Sequence, residues 1–355
     1  ELATRIAKKT PEGINRIFYT ICGSTAVETA IKIAIAYHRA KGDSKRFRFV
    51  GRERGYHGMN IGATTVGGMI NNVKTFASVL MPGVQHMRHT HLPEHKFVKG
   101  QPDTGVEMAE DLERIAMNFG GENIAACIVE PIAGSTGTLI PPKGYLKRIR
   151  EICDKHGILL IFDEVITGWG RTGSAFASQE FGVTPDMITM AKATTNGVIP
   201  MGVVAVKEEM YDAVLDSSSS NPEGTPELFH GYTYSGIPAA VAAGLAVQDI
   251  FDKEDIFNRA KEMSPYLQDG LHSLKDLKEV VSIRGYGMMG GIEMRMKEKP
   301  GKAGFQTFKH CYDAGVNFKN TGDSLIIAPQ FICEKKHIDE IIDKLRTGIS
   351  NYSKS

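Results

Sequence analysis

The chain has 355 residues, 42% of them hydrophobic, and a formal charge of +1 from 42 basic and 41 acidic side chains. That length allows one large domain plus a smaller one. The charge balance excludes the electrostatic footprint of a nucleic-acid or membrane-surface binder, and no apolar run approaches the roughly 20 residues that cross a bilayer.

The first residues, "ELATRIAKK", form a helix-like pattern that starts at Glu1 without methionine, so a shortened sequence is expected; they do not resemble a signal peptide. Next come short β-branched runs separated by amphipathic stretches. "RIFYT" (16–20), "RFRFVG" (46–51), "IAACIVE" (124–130), "GILLIFDE" (157–164), "DMITMA" (186–191) and "GVVAVK" (202–207) read as strands. They are continuous rather than alternating, as strands buried on both faces are. Segments 24–42 and 143–157 have helical period and glycine stops. The alternation predicts an α/β fold with a mostly parallel sheet over residues 1–250. From about 251 to 355 the pattern changes to a smaller α+β domain. "DSSSSNPEGTPE" (216–227) reads as a solvent loop, and "LMPGVQHMRHTHLPEH" (80–95) as another. Cys127 and Cys153 sit in apolar runs and no CxxC pair occurs, which points to buried thiols in a reducing compartment such as the cytoplasm.

Several motifs could carry chemistry. "TICGSTAVETAIKIA" is strand, glycine turn, helix. Ser24 or Thr25 can cap that helix and Glu28 fits a capping box, so the N–H groups of Gly23 and Ser24 would face an anion such as a phosphate; an ordinary capped helix has the same pattern. "GILLIFDEV" ends a strand in Asp163 and Glu164, which alternation sends to opposite faces; one can meet a ligand at the carboxyl edge of the sheet, or both can simply be solvated. "GRERGYHGMN" offers Tyr56 and His57 between glycines, for stacking or for core packing. "GWGRTG" (168–173) is a literal GxGxxG, but it begins four residues past Glu164, and the acid about 20 residues on, Asp186, starts a strand instead of ending one; a dinucleotide site is not expected there. His86, His89, His91 and His95 lack the cysteine and carboxylate company of a metal site, and no metal is expected. Lys192 closes the set: an amine at a strand end in apolar surroundings loses hydration and basicity, and can then attack a carbonyl. A phosphate cradle, an aromatic plate, a carboxylate and an amine are the groups that pyridoxal 5'-phosphate requires.

Together "CGSTAVETAIKIA", "RERGYHG", "VEPIAGSTG", "GILLIFDEVITGWGRTG", "DMITMAKATTNGVIPMG" and "HGYTYSG" resemble the class III pyridoxal-phosphate aminotransferases of the ω-amino acid (β-alanine):pyruvate type, with taurine:pyruvate enzymes nearby. The resemblance spans the whole chain and implies a fold-type I transferase. It implies that Lys192 holds the cofactor and shuttles a proton, that Asp163 pairs with the ring nitrogen, and that Val165 packs under the ring opposite Tyr56. Gly23 and Ser24 would bind the phosphate, Glu130 would lie near the ring, His57 would belong to the cofactor-binding set, and Thr233 would reach the phosphate of a neighbouring subunit, which implies a homodimer with shared sites. Ser135 and Ile166 replace the glutamate and glutamine of the ornithine and γ-aminobutyrate branches. Lys319 stands where the pyruvate-using enzymes place an arginine that grips the substrate carboxylate, and Arg284 and Arg295 are the other candidates for that grip. A further N-terminal segment that lines the family's substrate pocket is absent from the sequence. An aminomutase or a decarboxylase on the same fold remains an alternative chemistry.

Overall fold

The fold is given by a computed structural model that describes residues 1–219 and 228–354. Seven strands form the main sheet: β1 (Ile14–Thr20), β2 (Arg48–Arg52), β3 (Val84–Met87), β4 (Ile124–Val129), β5 (Leu159–Asp163), β6 (Met187–Met190) and β7 (Gly202–Lys207), in the order β1-β7-β6-β5-β4-β2-β3. Strands β3, β2, β4, β5 and β6 are parallel, and β7 pairs antiparallel with both β6 and β1. The reason is the length of the connection. Residues 191–201 are too few to return a chain over the sheet through a helix, so β7 pairs antiparallel to β6.

Every residue of β4 and β5 is buried. Leu160 and Phe162 point into one hydrophobic cluster with Ile149 and Ile152, while Leu159 and Ile161 point into another with Val27 and Ile31. This two-sided burial is what the continuous apolar runs predicted. The stretch 80–95 departs from the expected loop: Val84–Met87 is an edge strand, paired from Phe49↔Val84 to Arg52↔Met87. Its interior residues Gln85 and His86 are polar, so no apolar run announces it.

A second sheet contains β8 (Val280–Tyr286), β9 (Met289–Met294), β10 (Lys319–Thr321) and β11 (Ser324–Ile327), antiparallel in the order β10-β11-β9-β8. Helices Ile256–His272, Lys302–Asp313 and Lys335–Lys354 bury Leu267, Leu271, Cys311, Ile338 and Leu345 against Ile283, Ile292 and Leu325. Of the expected solvent loop 216–227, residues 216–219 belong to the helix Glu208–Ser219 and the rest lie outside the described residues.

Candidate active site

The adjacent carboxylates at the end of β5 do different work, as alternation requires. Asp163 Oδ2 lies 2.8 Å from His57 Nδ1, and Asp163 Oδ1 accepts the Val165 N–H at 3.1 Å. Both side chains are buried. Glu164 points the other way and accepts the N–H groups of Ala177 and Ser178 and the Thr167 hydroxyl. It holds the start of the helix Ala177–Glu180 and plays no part in the cavity. Burial raises the pKa of Glu164, and those hydrogen bonds pull it back only in part.

The helix Gly23–Ala40 begins beside this carboxylate. Its N-cap differs from the expected one. Cys22 occupies the position, and its N–H donates to Thr25 Oγ1 at 2.9 Å. Glu28 does not close a capping box; its carboxylate accepts the Ala63 N–H at 2.9 Å. Ser24 Oγ instead accepts the Met59 N–H at 3.2 Å. The first N–H groups of an α-helix have no partner within it and carry partial positive charge. Two glycines bring backbone close to them. A Cβ on Gly23 would lie 3.2 Å from both Val165 methyls, and a Cβ on Gly58, at φ +120°, would lie 2.4 Å from Ser24 Oγ. A larger residue at either position would fill the cradle.

Around these groups lies a cavity of about 240 Å³ lined by Cys22, Gly23, Ser24, Tyr56, His57, Glu130, Asp163, Val165, Ile166 and Lys192. Glu130 accepts the Tyr56 N–H at 2.8 Å and the Gly134 N–H at 2.9 Å, and burial raises its pKa above the ordinary carboxylate range. Lys192 stands just past β6, at the head of the turn Lys192–Thr194, with φ +41°. Its side chain is accessible through the open cavity but crowded by protein elsewhere. That loss of hydration lowers its pKa, against the raising pull of Asp163 and Glu130; Lys319 adds to the lowering. An anion cradle, a tyrosine ring, a fixed carboxylate and a weakened amine on one cavity fit pyridoxal phosphate.

Of the residues singled out from the sequence, Gly23, Ser24, Tyr56, His57, Glu130, Asp163, Val165 and Lys192 meet there. Thr233 does not; it is exposed and outside the cavity wall. Lys319 is exposed on β10, with Nζ 5.8 Å from the centre of the Tyr56 ring. It lines a second cavity of about 420 Å³ between the two sheets, together with Ser135, Val165, Ile166, Arg171, Lys192, Gln330 and Phe331. The sequence reading gave no role to Arg171, inside the "GWGRTG" turn, or to Gln330 and Phe331, on the loop after β11; no shared motif links the two places. Arg284 is not a free substrate grip: it is buried and committed to Gly137 O at 2.6 Å, Glu293 at 2.7 Å and Ser324 Oγ at 2.9 Å. Arg295 lies against Glu279 and lines neither cavity. His86 binds Gly67 O at 2.8 Å and His95 faces Thr104 Oγ1 at 3.3 Å; among the described residues no group of three or more His, Cys, Asp or Glu is placed to hold a metal ion. The glycines of "GWGRTG" pack on protein instead of opening toward a phosphate: a Cβ on Gly168 would lie 2.8 Å from Glu164 O, and one on Gly170 2.9 Å from Phe257.

A mostly parallel sheet with this cofactor site at its carboxyl edge, followed by a smaller antiparallel sheet, defines a fold-type I pyridoxal-phosphate enzyme. The chain matches the family Aminotransferase class-III over residues 1–349. It is 50% identical over 348 residues to the omega-aminotransferase of Caulobacter vibrioides, covering 98% of this chain and 78% of that protein. Identity to the beta-alanine–pyruvate aminotransferase of Pseudomonas aeruginosa is 41% over 355 residues, 99% of this chain and 78% of that protein. Among solved structures, the omega transaminase of Pseudomonas jessenii in complex with PMP superposes with a TM-score of 0.93 at 28% identity, covering 99% of this chain and 79% of that one. The chain belongs to the class III aminotransferases, and it is a pyridoxal-phosphate-dependent transaminase.

Proposed function

We propose that the chain moves an amino group from an ω-amino acid such as β-alanine, or a related amine, to pyruvate in a ping-pong cycle. The observation that carries this reading is the meeting of Lys192, the Asp163–His57 pair and the N-terminus of the helix Gly23–Ala40 on one cavity. Pyridoxal phosphate bound there supplies an aldehyde and an electron-withdrawing ring. In this reading Gly23 and Ser24 would hold its phosphate through backbone N–H groups, and Tyr56 and Val165 would lie against its ring. Asp163, steadied by His57 and the Val165 N–H, would keep the ring nitrogen protonated. Glu130, fixed by two backbone N–H groups, shapes the wall behind Tyr56. Lys192 would hold the cofactor through its aldehyde and would take up and return the proton at the substrate Cα. Its lowered basicity suits both tasks, because only the neutral amine attacks a carbonyl or accepts a proton. Lys319 faces the substrate carboxylate as a single positive charge.

Thr233 serves the phosphate of a second copy in this reading. Its exposure, next to the exposed Phe229 and Tyr234, supports a homodimer with shared sites. Free cysteines at all five positions agree with a reducing compartment such as the cytoplasm, and no helix among the described residues is long and apolar enough to cross a membrane. The two sheets support a division into a cofactor-binding unit over 1–250 and a smaller unit over 251–355.

The test is a pyruvate-coupled screen of β-alanine, taurine, γ-aminobutyrate and simple aryl-amines, following alanine formation. Alanine is expected from β-alanine. Cofactor-loaded protein that yields no alanine from any of the four would overturn the proposal.

A further inference from the structure

The turn Gly168–Gly173 contributes no residue to the cofactor cavity, yet it is held by ring contacts and hydrogen bonds on both sides. Trp169, the one tryptophan of the chain, is buried with its backbone left-handed at φ +64°. Its ring packs against Phe176 and Phe251, with centroids 5.0 Å and 5.8 Å away. The indole Nε1–H donates to Thr194 Oγ1 at 3.0 Å, and the Thr194 hydroxyl donates to Ala191 O at 2.9 Å. That carbonyl belongs to the peptide bond entering Lys192. Lys192 itself has φ +41°, a conformation that a side-chain-bearing residue keeps only where its surroundings fix it.

The turn is also anchored on its far side. Arg171 Nη1 donates to Met288 O at 2.8 Å and to Pro329 O at 2.7 Å, and the guanidinium lies 4.3 Å from the centre of the Phe331 ring. The Arg171 carbonyl accepts the Met288 N–H at 2.9 Å. The indole therefore sits on a turn hydrogen-bonded to Met288, between β8 and β9, and to Pro329, after β11, as well as to the lysine loop.

We infer that Trp169 is a positioning residue for Lys192, acting through the Thr194 hydroxyl on the peptide bond that enters the lysine. This rests on the reading that Lys192 carries the cofactor. The GxGxxG spacing then marks a turn tight enough to bring the indole under the lysine loop, and not a nucleotide site.

Three variants test it in the holoenzyme. Trp169→Phe keeps a ring and removes the donor; Thr194→Val keeps the size and removes the hydroxyl; Thr194→Ser keeps the hydroxyl. Trp169→Phe and Thr194→Val are each expected to lower kcat for β-alanine and pyruvate by about three- to tenfold, the scale of one lost hydrogen bond, with KM little changed. Both should move the pH midpoint of the visible cofactor band, while Thr194→Ser stays near wild type. The double variant should be no worse than Thr194→Val, because both substitutions cut one chain of bonds. Additive losses, a change in KM alone, or an unmoved midpoint with wild-type kcat would overturn the inference. If Trp169→Phe does not fold, Thr194→Val against Thr194→Ser decides by the same readouts. Borohydride fixation and peptide mapping keep the two claims apart. Cofactor fixed elsewhere than Lys192 defeats the reading of the site; cofactor on Lys192 with every variant behaving as wild type defeats only the positioning role.

Discussion

The two cavities share Val165, Ile166 and Lys192 but are built in opposite ways. The walls of the cofactor cavity all come from residues 21–201, at the edge of the seven-stranded sheet. Its carboxylates are tied down: Asp163 by His57 and the Val165 N–H, Glu130 by two backbone N–H groups. The neighbouring cavity takes its walls from the second sheet and from the segments that follow β4, β5 and β6, and carries Lys319, an exposed cation with no ion-pair partner among the described residues. Preorganised groups suit a cofactor that stays through every cycle. An exposed point charge free of ion pairs suits substrates that enter and leave with different shapes.

Substitutions can break or sharpen this contrast. The largest effect is expected for Lys192→Ala, which should lower transamination at least about 10³-fold and abolish a borohydride-fixable visible band. Asp163→Asn removes the fixed charge while keeping the shape, and should lower kcat on the order of 10²-fold with the cofactor still bound, read by steady-state kinetics and absorbance. On the substrate side the effects should be smaller and selective. Lys319→Arg turns a point charge into a two-pronged donor, so KM for β-alanine should fall about tenfold while KM for an aryl-amine without a carboxylate stays put. An equal change for both substrates would mean that Lys319 does not meet the carboxylate.

The same residue gives a pH prediction. Lys192 has a pKa below the ordinary lysine range, so its amine stays neutral, and captures the cofactor, down to a lower pH than a solvated lysine would. Lys319 contributes to that lowering, so Lys319→Met should raise the Lys192 pKa and move the acid limb of the capture rate to higher pH. A limb that does not move would confine Lys319 to substrate binding. The smallest effect on catalysis should come from Glu164→Gln, one residue from Asp163. The folded enzyme should keep its kcat, but weakened bonds to Ala177, Ser178 and Thr167 should cost about 1–3 kcal/mol of stability, measurable by denaturant titration.

Much of the cofactor side was legible in the chain because its groups sit at places that local pattern defines. Asp163 ends an apolar strand, Gly23 opens an amphipathic helix, and Lys192 follows another strand. The second cavity was not legible in that way. Gln330 and Phe331 lie on loops whose position depends on how the two sheets pack, and Arg284, attractive as a free arginine, is used up by Gly137, Glu293 and Ser324.

By itself the sequence determined that β4, β5 and β6 are buried on both faces, that Asp163 and Glu164 diverge, and that a helix opens at Gly23; β1, whose run looks the same, is a half-buried edge strand. Periodicity and glycine placement are properties of neighbouring residues and survive without a fold. Only the tertiary structure decided that His57 meets Asp163 across 106 positions of sequence, that Cys22 rather than Ser24 caps the helix, and that Trp169 reaches the lysine loop. Such partnerships depend on helices and turns closing around one another, and no local pattern encodes which side chain arrives at the other end of a hydrogen bond.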